Sequence, residues 1–197
     1  MKQKLKKGVQ RTINAKYRVT FFTLFILTVY GVGFWHFNRP QEIALIEGLQ
    51  ISNQTKIQLE EKIQTMTKDH PIEKMIPYII EKDNQVAAFL VSIAKKESNW
   101  GKRVPVLNGE DCFNYWGYRG GGTTTKGGYT CFESREEAID VVGGRISELI
   151  SKSNLQTPKD MIIWKCGSSC AGHSDFGVRK WISDVAYYFE KVYDKDK

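Results

Sequence analysis

The chain has 197 residues, with 29 Lys plus Arg against 22 Asp plus Glu and a formal charge of +7. Seven of the basic residues, Lys2, Lys4, Lys6, Lys7, Arg11, Lys16 and Arg18, stand in the first eighteen positions, which hold no acid. Setting them aside leaves 22 basic and 22 acidic residues, so the excess charge belongs to the N-terminal tail, and a basic nucleic-acid-binding domain is excluded.

In chain order, residues 1–18 read as a basic cytoplasmic tail. Val19 to Phe37 follow, nineteen residues without a charge if His36 is neutral. That length suits one membrane-spanning helix, with Trp35 as an interfacial anchor. Positive charge before the run predicts a cytoplasmic N-terminus, with everything after Phe37 outside the cell membrane. The run is longer than a usual secretory h-region and no Ala-x-Ala site follows, so a retained signal-anchor is expected. Residues 38–69 read as a connector or stalk. Ile43, Ile46 and Leu49 suit one helix face and Leu59, Ile63 and Met66 another, with no heptad running through both. The segment is either a spacer or a helix docked on the domain that follows.

Residues 70–193 read as one mainly helical domain, large enough for a single core. Pro71 and Pro77 bracket a short helix or two turns. Asn84 to Ser98 carry helical periodicity: Val86, Leu90, Ile93 and Glu97 follow steps of four, three and four, a single stripe. Glu97 therefore projects at the C-terminal edge of the apolar face, near the negative end of the helix dipole. Partial burial and that dipole both disfavour the charged form, the condition a glycosidase sets on the acid that protonates a leaving sugar oxygen. The bland alternative is a Glu at a helix end in water.

Between Arg103 and Phe132, aromatic residues flank a glycine-rich stretch, which predicts a small β-hairpin. Ser134 with Glu137 forms a capping box, opening a helix whose inner face is Ala138, Ile139, Val142, Ile146 and Leu149. Gly143 and Gly144 in its middle weaken it and permit close packing. A last helix runs from about Val178, with Trp181, Ile182, Val185, Phe189 and Val192 on one face. The predicted fold class is α+β, a mainly helical domain with a small β-hairpin, preceded by one N-terminal transmembrane helix.

Cys112, Cys131, Cys166 and Cys170 all lie beyond the apolar run, where disulfides persist. Three pairings are possible. Cys112 with Cys131 at the base of the glycine-rich hairpin, and Cys166 with Cys170 around Gly-Ser-Ser, is the favoured set. Zinc, with His173 nearby, is the weaker alternative, because one C-x3-C occurs without a second close pair. No metal and no cofactor is expected.

Glu97-Ser98-Asn99-Trp100-Gly101, then Asn114-Tyr115-Trp116-Gly117-Tyr118, then Tyr129 leading into Ser134-Arg-Glu-Glu-Ala138 resemble a known series. It is the Glu-Ser-x-x-Gly, Asn-x-Phe-Gly-Ile and Ser-x-Glu-Glu-(Ala/Ser)-Ile series of the glucosaminidase branch of the lysozyme-like superfamily. The Glu-Ser pair also resembles the start of the bacterial lytic transglycosylase motif. The resemblance covers residues 72–193 and implies a peptidoglycan-cleaving enzyme, its partner the glycan strand and its general acid Glu97. It further implies an assisting hydroxyl from Tyr129 and an Asn114 that holds the hairpin near the acid. Where relatives carry Tyr-Ala-Thr-Asp before the last helix, this chain reads Gly172-His173-Ser174-Asp175, which leaves hydrolysis against transglycosylation open.

Flat aromatic faces bind the C–H faces of sugars, so Tyr115, Trp116, Tyr118 and Tyr129 are candidates for lining a saccharide groove, although strand alternation sends some to the core. Ser98 is a candidate support, bonding Glu97 or the chain. Glu110, Asp111, Glu133 and Asp175 are eligible as a second carboxyl, unless the acetamido group of the substrate replaces it. A noncatalytic glycan-binding or envelope scaffold protein is the alternative function class.

Overall fold

The structure, a computed structural model, describes residues 2–193, with side-chain surroundings for residue 18, residues 20–35 and residues 44–193. The chain divides into two compact units, residues 1–54 and 55–197. Helix α1 (Lys2–Thr67) begins in the first and ends in the second.

The first unit corrects one expectation. Among the described residues, no helix is long and apolar enough to cross a membrane. Polar and small residues interrupt the uncharged run; Thr23 and Thr28 turn their hydroxyls onto the carbonyls of Thr20 and Phe25. The side chains of the basic residues Lys2 to Lys16, and of Val19, His36, Phe37 and Ile43, lie outside the described residues.

In the second unit, the last turns of α1 dock rather than stand free. Leu59 and Ile63 are buried in the core and Met66 packs against it. After a 3-10 turn at Pro71–Met75 comes the short α2 (Ile76–Ile79), with Pro77 in its first turn, where a missing N–H costs nothing. The centre of the unit is α3 (Asn84–Ser98), opened by Asp83, whose carboxylate accepts from the Gln85 N–H at 2.8 Å. Val86 to Ala94 are buried on every side of it, as befits a helix without a polar face. It packs against α4 (Arg135–Ser153) and α6 (Asp175–Val192).

Ser134 caps α4 by accepting from the Glu137 N–H at 3.0 Å, while the Glu137 carboxylate reaches back to the Glu133 N–H. The buried residues of α4 include Ala138, Ile139, Val142, Ile146 and Leu149. Helix α6 starts three residues earlier than its apolar pattern, because Ser174 accepts from the Gly177 N–H and caps it. Trp181, Val185, Phe189 and Val192 are its buried residues. Between α4 and α6 lies the short α5 (Ile163–Cys166). The mainly helical α+β reading thus agrees with the structure.

The hairpin lies elsewhere than expected. Strands β1 (Val106–Leu107) and β2 (Glu110–Asp111) pair antiparallel, Val106 opposite Asp111 and Leu107 opposite Glu110. Asn108 and Gly109 join them with φ of 54° and 88°, the two positive angles of a type I′ turn. The glycine-rich stretch downstream makes one isolated antiparallel bridge, Thr124 with Thr130. Its glycines offer no side chains for cross-strand packing and lose the most backbone freedom on ordering, so no ladder propagates. Cys112 pairs with Cys131 and Cys166 with Cys170, and no thiolate is left for a metal among the described residues.

Gly144 is exposed in mid-helix with nothing within 4 Å of where a Cβ would stand. Gly144→Ala is expected to stabilise the fold by about 0.5–1 kcal/mol, read as a higher midpoint in urea unfolding at unchanged slope.

Candidate active-site groove

Helix α3 ends at Ser98, and Asn99 takes a left-handed conformation with φ 54° that turns the chain away. The turn is fastened by Ser98. Its hydroxyl donates to the Ala94 carbonyl at 3.0 Å and accepts from the Gly101 N–H at 2.8 Å. Trp100 closes the helix end, its indole N–H donating to the Val91 carbonyl at 2.8 Å. Glu97 is thereby left on the last exposed turn, beside open space rather than under the shielding that its position on the apolar stripe suggested.

What fixes Glu97 comes from α6. The indole N–H of Trp181 donates to Glu97 Oε1 at 2.7 Å. Trp181 is only 1% exposed, so its N–H needs a protein acceptor, and a carboxylate is the strongest available. One turn further along α6, Asp184 accepts from Lys96 at 2.6 Å and from Lys180 at 2.9 Å. Burial raises the Asp184 carboxyl, but the bonds from Lys96 and Lys180 outweigh it and hold the group below its ordinary value. Two adjacent residues of α3 are thus tied to one face of α6.

The other wall is the segment 114–118. Asn114 is 1% exposed. Its amide donates to the Tyr118 and Thr130 carbonyls, each at 2.8 Å, and accepts from the Tyr118 N–H at 2.9 Å. The side chain closes this turn and ties it to the glycine-rich segment. Gly117, with φ 65°, sits at the tip; a Cβ there would stand 3.8 Å from Glu97 Oε2 and 3.9 Å from the Tyr129 ring. The free oxygen of Glu97 and Tyr129 therefore flank the same glycine, where a side chain would occupy the space between them. Arg119 stacks over the Tyr129 ring at 4.1 Å and donates to the Gly127 carbonyl at 2.7 Å, which sets the ring's orientation.

These groups line a groove of about 920 Å³, together with Arg103, Val104, Pro105, Trp164, Lys165 and His173 among others. It brings together Glu97, Ser98, Asn114, Trp116 and Tyr129 from the sequence-derived set. Trp116 and Tyr115 are core residues by side chain, 0% and 1% exposed. The Trp116 indole N–H donates to the Leu90 carbonyl at 2.7 Å. The Tyr115 hydroxyl donates to Asp111 at 3.0 Å, and burial, then the charge of Asp111, push it well above the usual tyrosine range. Tyr118 packs its ring between Phe132 and Trp164 and does not line the groove.

Comparison with protein-family models, with curated proteins and with solved structures gives no match. The groove is therefore read from its own chemistry. Glu97 is the one carboxylate among its lining residues. Asp111 is occupied by Tyr115 and by the Phe113 N–H, and Glu110, Glu133 and Asp175 are exposed away from the lining.

Trp164, Trp181, Gly117 and Arg119 were not singled out from sequence as site residues. Trp181 reads there as one more apolar residue of a helix face. The usable signal was chemical: a buried indole N–H demands an acceptor, and α3 ends in a carboxylate. Trp164, whose N–H donates to the Trp116 carbonyl at 2.9 Å, offered no comparable signal.

Asn114→Ala removes two donated bonds and one accepted bond at a buried site. A loss of about 3 kcal/mol is expected from chemical unfolding, since each stranded backbone group costs about 1–3 kcal/mol.

Proposed function

We propose that this groove cleaves the β-1,4 backbone of peptidoglycan glycan strands, with Glu97 as general acid. The observation that carries the reading is the asymmetric placement of the Glu97 carboxyl. One oxygen is held by the Trp181 N–H at 2.7 Å, and the other lies by Gly117 and Tyr129 on the groove. A proton on the free oxygen can be delivered to a glycosidic oxygen, and the C1–O bond then breaks to leave an oxocarbenium-like centre.

The lining offers no second carboxylate to act as nucleophile or to activate water from the opposite face. Substrate assistance fits such a groove: the acetamido oxygen of the sugar closes on C1, as in substrate-assisted glycosidases. The departing sugar keeps the proton, and the Glu97 carboxylate then accepts one from the incoming nucleophile. If that is water, the product is a reducing end; if it is a hydroxyl of the same sugar, the product is an anhydro end. Tyr129, whose ring lies beside Gly117, is the candidate for an assisting hydroxyl. The four cysteines, paired in two disulfides, suit an extracytoplasmic wall substrate.

The exposure of Glu97 favours one alternative, a noncatalytic glycan-binding protein, because a shielded acid is what distinguishes an enzyme from a binder. The two part on one experiment. The purified, oxidised chain is incubated with peptidoglycan sacculi and the released fragments are identified by mass spectrometry. Release falling about 10²–10⁴-fold in Glu97→Gln supports the acid role. Binding without release by either protein establishes the binder.

A further inference from the structure

Beyond residue 18 the chain has equal numbers of acidic and basic residues, yet the groove is not balanced. Its lining holds Arg103, Arg119 and Lys165 against Glu97 alone. With His173 neutral that is three positive charges against one negative.

The cations differ in how they are used. Arg119 is spent on Tyr129 and the Gly127 carbonyl. The side chains of Arg103 and Lys165 have no hydrogen-bond or ion-pair partner among the described residues. Elsewhere in this unit, Lys56, Lys82, Lys96, Arg145, Lys152 and Lys180 each have an acidic partner, whereas Lys62, Lys68, Lys74, Lys102, Lys126, Lys159 and Arg179 have none among the described residues; what sets Arg103 and Lys165 apart is that both line the groove.

Both unpaired residues are nevertheless held in place by their backbones. The Arg103 N–H donates to the Ser98 carbonyl at 2.9 Å, which fixes it one turn beyond the acid. Lys165 lies between Trp164, tethered by its indole N–H to the Trp116 carbonyl, and Cys166, tethered by its disulfide to Cys170. Two cations without a protein partner that line one groove on a tethered frame raise its positive potential toward an anion. A guanidinium and an ammonium both bond carboxylates well, the first in bidentate fashion.

We propose that Arg103 and Lys165 bind a carboxylate carried by the saccharide substrate, so that the groove selects acid-bearing glycan strands over neutral chains of the same sugar backbone. This deepens the function proposed above and rests on it. Two sources would supply the carboxylate: the lactyl ether of a muramic acid residue, or the peptide attached to it. The neutral backbone sugars supply none, so recognition by backbone contacts alone would not distinguish the polymers.

The test uses the full oxidised chain carrying Glu97→Gln, which holds substrate without turnover. Its affinity is measured for three ligands at low and high salt: neutral chitohexaose, muramic-acid-containing strands stripped of peptide, and the same strands with peptides. The expected result is at least about tenfold tighter binding of an acid-bearing strand than of chitohexaose, with the gap narrowing as salt rises. Preference for stripped strands assigns the lactyl carboxylate; preference for intact ones assigns the peptide. Adding R103Q and K165Q should bring the ratio of affinities toward one, while the charge-conserving pair R103K and K165R should retain it. Equal affinity for all three ligands overturns the proposal but leaves the glycosidase reading intact, as does a preference that survives R103Q with K165Q. Failure to bind any of the three, in a chain that also releases nothing from sacculi as wild type, overturns both readings together.

Discussion

The bond from the Trp181 indole to Glu97 is the contact on which the groove depends. Helix α3 is a poor platform for a charged side chain, because its body is apolar on every side and buried. Between Gln85 and Ala94 it is buried, and a carboxylate on its last, solvent-reaching turn would sample several rotamers. Trp181 removes that freedom from below. Its ring belongs to the core, and its N–H is a buried donor that must find an acceptor. Core packing and site geometry thus share one side chain. Lys96 with Asp184 reinforces the same helix pair beside it, a link present at neutral pH and lost as pH falls through the lowered Asp184 value.

The opposite wall is built on a different principle. Residues 114–118 form a turn held by the Asn114 amide, by the buried Trp116 ring bonded to the Leu90 carbonyl of α3, and by the Cys112–Cys131 disulfide beside it. Gly117 at its tip leaves room for Glu97 and Tyr129 to face the same space. One wall is therefore a packed helix end and the other a turn that combines two buried rings with polar fastening, with the groove between them.

Much of this was legible in the sequence where periodicity or cap chemistry speaks directly. The stripes of α3, α4 and α6 and the Ser134 cap follow from spacing and residue type, and of three possible cysteine pairings the favoured one is present. The hairpin was misplaced because glycine-rich aromatic segments look like strands, while the stronger signal, Asn108-Gly109, lies between short runs without clear alternation. The membrane-spanning helix expected over residues 19–37 is not found: among the described residues no helix is long and apolar enough to cross a membrane. Side-chain direction at helix ends was beyond reach. Glu97 lies on the apolar stripe, yet the helix stops one residue later and the stripe's cover stops with it. Trp181 was legible as core and illegible as a clamp, since spacing assigns a face and not the atom that an N–H will meet.

The account stands on the claim that the Trp181 N–H sets the working position of Glu97. Trp181→Phe removes that donor and keeps most of the ring's bulk. The direct measurement is the rate of fragment release from sacculi by this variant beside wild type, with thermal unfolding recorded for both. At least about a tenfold loss of rate in a chain that remains folded at the assay temperature is the predicted result, because misplaced catalytic groups cost rate steeply. Wild-type release from folded Trp181→Phe would contradict the account, since Glu97 would then act without its clamp.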